Sequence, residues 1–173
     1  MTRGLFLSII FLFFQTIFVS AQDKIAFIDL NYIFLNSEAG KNINLQIKDK
    51  KNMLDKDVEN YKQKIDEQKK TISAQKNVLS KKDFEIKVRE LEQNIKDINL
   101  SIAKKNKDLS EFKSKVEREF FEQLNKVVEN YSLNNSISII LKKENLLMAK
   151  KNLDITNDIF KIFNEKVKEI NIR

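Results

Sequence analysis

The sequence has no cysteine, histidine, proline or tryptophan, and only two glycines among 173 residues. Each absence removes a class of chemistry. Without Cys there is no disulfide to brace the chain in an oxidising compartment and no thiol nucleophile. Without His the commonest proton shuttle and zinc ligand are missing, and a serine would have no imidazole base. With only Gly4 and Gly40, no glycine-rich loop can cradle a phosphate. The composition argues against an enzyme and against a bound cofactor.

What the sequence does have is charge and helical patterning. Charged residues make up 33% of the chain, and the net charge is +7. Across 62–82 seven lysines (Lys62, Lys64, Lys69, Lys70, Lys76, Lys81 and Lys82) stand against two acids, a local balance of +5. Any one of these lysines is ordinary solvated helix surface, but together they can draw an anionic partner.

The first 21 residues are read apart from the rest. Arg3 precedes an apolar stretch over 5–19, broken only by Ser8, Gln15 and Thr16. Val19-Ser20-Ala21 then supplies the small residues of a signal-peptidase site, with cleavage before Gln22. A membrane anchor is the rival reading, but spanning a bilayer takes about 20 apolar residues, more than this stretch offers.

From residue 47 apolar side chains recur three and four apart, at Ile47, Leu54, Val58, Tyr61, Ile65, Ile72 and Leu79. That spacing is a coiled-coil seam, with Lys51, Gln68 and Gln75 as polar exceptions. Ser80-Lys81-Lys82-Asp83 interrupts it with a helix-start signal, a serine followed three residues later by an acid. The pattern restarts at Phe84, Val88, Leu91, Ile95, Ile98, Ile102, Leu109, Phe112 and Val116, with Lys105 as its charged member. An antiparallel hairpin follows, with helices over 41–79 and 81–131, about 58 and 76 Å long, and a tip near residue 80. One continuous rod is the alternative, since neither Gly nor Pro marks the turn. Past Val116 two successive steps of four, to Phe120 and Leu124, rotate the seam. This is where the second helix should leave its partner.

Residues 24–30, KIAFIDL, read as a buried strand, and 31–36 as a short helix. Asn134 or Asn135 is expected to take the left-handed conformation that ends the second long helix. Ile137, Ile139 and Leu141 alternate with Ser136, Ser138 and Ile140 as a further strand. Polar residues 142–145, then Leu146-Leu147-Met148-Ala149, would complete a β-hairpin. Thr156 is expected to cap the final helix, with Asp158 in its first turn and Ile159, Phe160, Phe163, Val167 and Ile170 at helical spacing.

The expected fold class is mainly α, a long antiparallel helical hairpin on a small β body. The segments are a signal peptide at 1–21, a body segment at 22–40, the hairpin at 41–116 and a second body segment at 117–173. The body, roughly 75 residues with three short strands, is too small to bury much of its surface alone, so oligomerisation is expected. Ile25, Phe27, Ile137, Ile139, Leu141 and Phe120 are the candidate subunit contacts. Phe84 lies in register with Val88 and reads as packing. Phe121, Phe160 and Phe163 read as core or interface.

Four short stretches carry a family likeness: a strand ending in Asp29; Ser37-Glu38-Ala39-Gly40-Lys41 opening the long helix; Leu79-Ser80 at the tip; and Leu153-Asp154-Ile155-Thr156 before the last helix. With this layout the mature chain resembles the Skp/OmpH family of periplasmic chaperones along its whole length. It departs from the family in the turn Lys142-Lys143-Glu144-Asn145, which lacks a glycine. The resemblance implies a periplasmic homotrimer whose helical tentacles enclose unfolded outer-membrane proteins, without nucleotide, cofactor or covalent chemistry. The tip lysines would then be candidates for client capture. An anionic membrane surface or lipopolysaccharide is a further candidate contact. Nearly balanced charge outside the tip, together with the export signal, argues against nucleic acid as a partner. An export-pump adaptor would need flanking β-rich domains for which the chain has no room. A coiled-coil spacer without chaperone activity is the remaining alternative.

Overall fold

In a computed structural model describing residues 24–171, the chain opens with strand β1 (Lys24–Ile28). The expected signal peptide and its cleavage before Gln22 lie outside the described residues. Helix α1 (Leu30–Asn36) follows at once, because the Asp29 side chain accepts the Tyr32 N–H at 2.8 Å and starts the turn. Ser37 then serves two helices. Its N–H closes α1 on the Ile33 carbonyl, and its hydroxyl accepts the Gly40 N–H to open α2 (Glu38–Ala74). The elbow is tight: a Cβ on Gly40 would lie 1.7 Å from the Phe34 carbonyl oxygen. Only glycine fits there.

Helix α2 stops at Ala74, short of residue 79, and a turn over 75–80 uses the Gln75 carbonyl to hold the Val78 and Leu79 N–H groups. Helix α3 (Lys81–Asn134) begins where the serine signal places it, with the Ser80 hydroxyl accepting the Asp83 N–H at 3.2 Å. The chain therefore turns back into a hairpin and is not a continuous rod. At the far end of α3, Ser136 takes the left-handed conformation (φ 52°), in place of Asn134 or Asn135. Asn135 instead turns its side-chain amide back onto the Tyr131 carbonyl, which moves the reversal one residue along.

Strand β2 (Ile137–Lys142) lies parallel to β1, and the whole hairpin forms the crossover that parallel pairing requires. Lys24 pairs with Ile137 but Ile25 with Ile139, so the register shifts at Ser138. The shift changes the phase of the strand. Ile137 and Ile140 pack on the core, whereas Ile139 and Leu141 face away from it. The other edge of β1 is taken: the Ile155 N–H donates to the Phe27 carbonyl at 3.0 Å, next to a Phe27–Asp154 bridge. The expected β-hairpin does not form. Residues 143–145 make one 3₁₀ turn, and 146–149 follow as irregular backbone that joins no strand. No glycine is available there for a tight reversal, and the bridge at Asp154 already occupies the edge of β1 that a third strand would need.

Residues 151–153 form a second 3₁₀ turn before helix α4 (Thr156–Lys166). Asp154, not Thr156, meets the first orphan N–H of this helix, accepting from the Thr156 N–H at 2.9 Å. The Thr156 hydroxyl reaches across instead and accepts the Asp29 N–H at 2.9 Å. Asp29 and the LDIT stretch, 127 residues apart at this bond, are thus two halves of one clasp.

The core sits between the sheet, α1, α4 and the base of the hairpin. Phe120 is its centre, with ring centroids of Phe34, Phe163 and Phe121 at 4.9, 5.0 and 5.4 Å. It is completely buried within one chain, which places it in the protomer core and leaves no surface for a subunit contact.

Candidate functional site

The hairpin holds the sequence-predicted lysines, and three cross-helix contacts set its register. Lys50 Nζ stands 4.5 Å over the Phe112 ring, Asp57 pairs with Lys105, and Asn94 Nδ2 donates to Gln68 Oε1 at 2.8 Å. Two of the polar seam positions, Gln68 and Lys105, therefore find partners on the facing helix. The Asp57 carboxylate holds the Lys105 ammonium above its ordinary pKa. Gln75 has no such partner: its Oε1 is shielded from solvent with no hydrogen bond among the described residues. Lys51 is exposed.

Burial fades toward the tip. Ile43, Leu54, Ile98 and Val116 are buried, but Ile65, Ile72, Val88 and Ile95 are only half-buried. Two helices alone can cover one stripe of each other and no more. On one flank the half-covered seam opens into a groove of about 730 Å³.

All seven tip-region lysines are exposed, and none of them forms an ion pair among the described residues. Lys62 and Lys69 stand seven apart on α2, Lys76 follows seven further on in the turn beyond Ala74, and Lys70 adjoins Lys69. Lys64 lies apart from that row, on the groove. Lys81 and Lys82 occupy the first turn of α3, where the helix dipole disfavours positive charge. Val78, at the tip between them and Lys76, is strongly exposed.

A second surface lies at the base. Ile25, Ile139 and Leu141 remain 42%, 46% and 39% exposed on the outer face of the sheet, and Leu147 and Met148 beyond it are almost wholly exposed. Phe27 and Ile137, named with them from the sequence, are buried in the single chain. Leu147 and Met148 were missed as surface residues because an apolar run reads as a strand. The missing glycine before them was the available signal.

The clasp at the base is electrostatic as well. Lys143 Nζ lies 2.8 Å from Asp29 Oδ2, and that bond, helped by the Tyr32 N–H, holds the Asp29 carboxyl below its ordinary pKa. The bond also raises the pKa of Lys143. Burial, with a hydrogen bond donated to Asp158 at 2.8 Å, pushes the Tyr131 hydroxyl up. Among the described residues no cluster of His, Cys, Asp or Glu could hold a metal ion, and no helix is long and apolar enough to cross a membrane. What the arrangement offers is binding surface: uncompensated cations, half-covered apolar stripes and an open apolar sheet face.

Comparison with known proteins fits this geometry. No curated protein matches the chain. A crystal structure from Caulobacter crescentus, described as an OmpH-like outer membrane chaperone, superposes with a TM-score of 0.82. The superposition covers 88% of this chain and 90% of that one at 15% identity, so the likeness establishes the fold. The outer membrane protein (OmpH-like) family matches residues 24–163. That span takes in β1, the complete hairpin, β2 and most of α4, and the chain belongs to the OmpH-like family.

Proposed function

We propose that this protein is an ATP-independent holdase of the periplasm, which binds unfolded outer-membrane proteins and keeps them from aggregating. The observation that carries the reading is the hairpin, where seven lysines without ion-pair partners among the described residues stand beside a half-covered apolar seam. A holdase works through many weak contacts summed over a long surface, and this surface supplies both long-range attraction and apolar grip. The lysines are the capture residues in this reading. They would also meet an anionic membrane surface or lipopolysaccharide.

The working unit in this proposal is a homotrimer whose hairpins surround the client. Support comes from the base, where Ile25, Ile139, Leu141, Leu147 and Met148 leave large apolar side chains exposed. A coiled-coil spacer would have no use for unpaired lysines concentrated at the tip. The test is dilution of a urea-unfolded β-barrel protein with and without the purified mature chain. The expected result is suppressed light scattering at molar excess, and undiminished scattering would sink the proposal.

A further inference from the structure

The lysine row does not account for the groove on the flank of the hairpin, which differs from it in charge, shape and chemistry. Lys64 and Lys87 at its rim are matched by Glu67 and Glu90, so the groove has no net preference for an anion. Tyr61, Ile72 and Leu91 form a half-covered apolar wall, and Ile98 closes the inner end. Its uncharged polar lining is three amides, of Gln68, Gln75 and Asn94, and the hydroxyls of Tyr61 and Thr71. The Asn94–Gln68 bond uses one donor and one acceptor of the two amides, leaving Gln68 Nε2 and Asn94 Oδ1 for a ligand. Gln75 adds the solvent-shielded Oε1 that lacks a partner among the described residues. Such an orphan acceptor needs an explanation in a native fold.

Dimensions select the occupant. From Tyr61 to Gln75 the groove follows about 21 Å of helix. An extended chain puts about six residues into that length. A helix satisfies its backbone groups internally and would leave the amides that line the groove without partners.

We propose that this groove holds an extended, uncharged segment of polypeptide whose side chains alternate apolar and polar. Such a segment sets its apolar side chains on the Tyr61, Ile72 and Leu91 wall. Its backbone N–H and C=O groups meet the amides, with the terminal amide of Gln75 turning to accept one N–H. The alternating pattern is that of a transmembrane strand of a β-barrel. The inference therefore rests on the holdase reading for the source of the segment, and it divides the labour of the hairpin. The lysine row draws the chain in, and the groove reads its pattern.

The test uses the mature chain and fluorescein-labelled peptides of eight residues, followed by anisotropy. One peptide alternates leucine with threonine and asparagine, and its control has the same composition in blocks. The alternating peptide should bind more tightly than the block peptide, with little change between low and moderate salt. Gln75→Leu, on the turn at the tip, should weaken it about fivefold, the loss of one neutral hydrogen bond. Leu91→Asn should weaken it as well, with helix content checked by circular dichroism. Lys62, Lys69 and Lys76 changed together to Glu should leave peptide affinity unaltered. Equal binding of the two peptides overturns the proposal, as does wild-type affinity in both groove variants or loss of affinity with the lysine row. If the wild type suppresses aggregation while the peptide measurements give any of these overturning results, only the groove assignment falls. If it does not suppress aggregation yet binds the alternating peptide, the holdase reading falls and the groove stands.

Discussion

Along one helix, α3, two environments meet. Phe120 is shut away between Phe34, Phe121 and Phe163, whereas Leu91 and Asn94, about 40 Å nearer the tip, are half exposed and Asn94 closes the seam with an amide pair. The difference comes from the number of layers. At the base, α3 is covered by α1, α4 and the sheet, and in the hairpin it has α2 alone. The base can therefore carry most of the stability, while the hairpin keeps its side chains available for contact and pays in packing. Stability distributed this unevenly is common where one part of a fold must bind and another must hold its geometry.

That contrast can be broken most forcefully at its centre. Phe120→Ala should cost about 3–5 kcal/mol, since the four-ring cluster cannot close over the gap. Urea unfolding of the isolated chain reads this directly, and a cost under about 1 kcal/mol would place the core elsewhere. Thr156→Val comes next. It keeps the shape of the side chain but leaves the Asp29 N–H without its acceptor, for an expected loss of about 1–3 kcal/mol. Ile139→Asp should leave the fold of each chain intact and lower the mass measured by sedimentation. An unchanged mass would remove the sheet face from the assembly surface. In the hairpin, reversing Lys62, Lys69 and Lys76 to Glu should leave the urea midpoint where it is, slow client capture and flatten its salt dependence.

The smallest effect is the sharpest for separating the two regions. Because the Asp29 pKa is depressed, its contribution is complete above the ordinary value of 3.8 and is lost as pH falls through the lowered one. Asp29→Asn keeps a capping oxygen but not the charge. The variant should trail the wild type by a constant amount near neutrality and converge with it in acid. In the hairpin, Lys105 is raised, so its pairing with Asp57 is complete below 10.5 and fades as pH climbs through the higher value. Tyr131 and Lys143 at the base are raised too. Alkali therefore acts on both regions, whereas the difference in acid between wild type and Asp29→Asn reports on the clasp.

The hairpin was legible because its signals are local. A heptad seam needs no distant partner to declare itself, and Ser80 with Asp83 marks a helix start in four residues. The base was legible in part. KIAFIDL and the strand after Ser136 were visible as apolar runs, but a single register shift at Ser138 reversed which side chains of β2 face inward. No periodicity argument sees such a shift. Leu146-Leu147-Met148-Ala149 looked like a strand because composition records what a segment could bury, not whether an edge is free to receive it. Thr156 had the residue type of a cap. Its hydroxyl was claimed by Asp29, a partner that only the folded chain brings near. At the candidate site the lysines were countable, whereas the groove depends on how two helices splay and on Gln75 being left without a partner.

The parallel pairing of β1 with β2 has a kinetic side. Lys24 and Asn135, bonded at the edge of the sheet, are 111 residues apart, and closing a loop of that length directly is entropically slow. Gln68 and Asn94 are only 26 apart. If the helices zip from the tip downward, each layer closes a short gap, and the last layer delivers β1 to β2. A slip of one heptad in the zipper would offset that delivery by about 10 Å, roughly three strand residues. The polar contacts at Gln68–Asn94 and Asp57–Lys105, far from the sheet, would then fix the register in which its two strands meet.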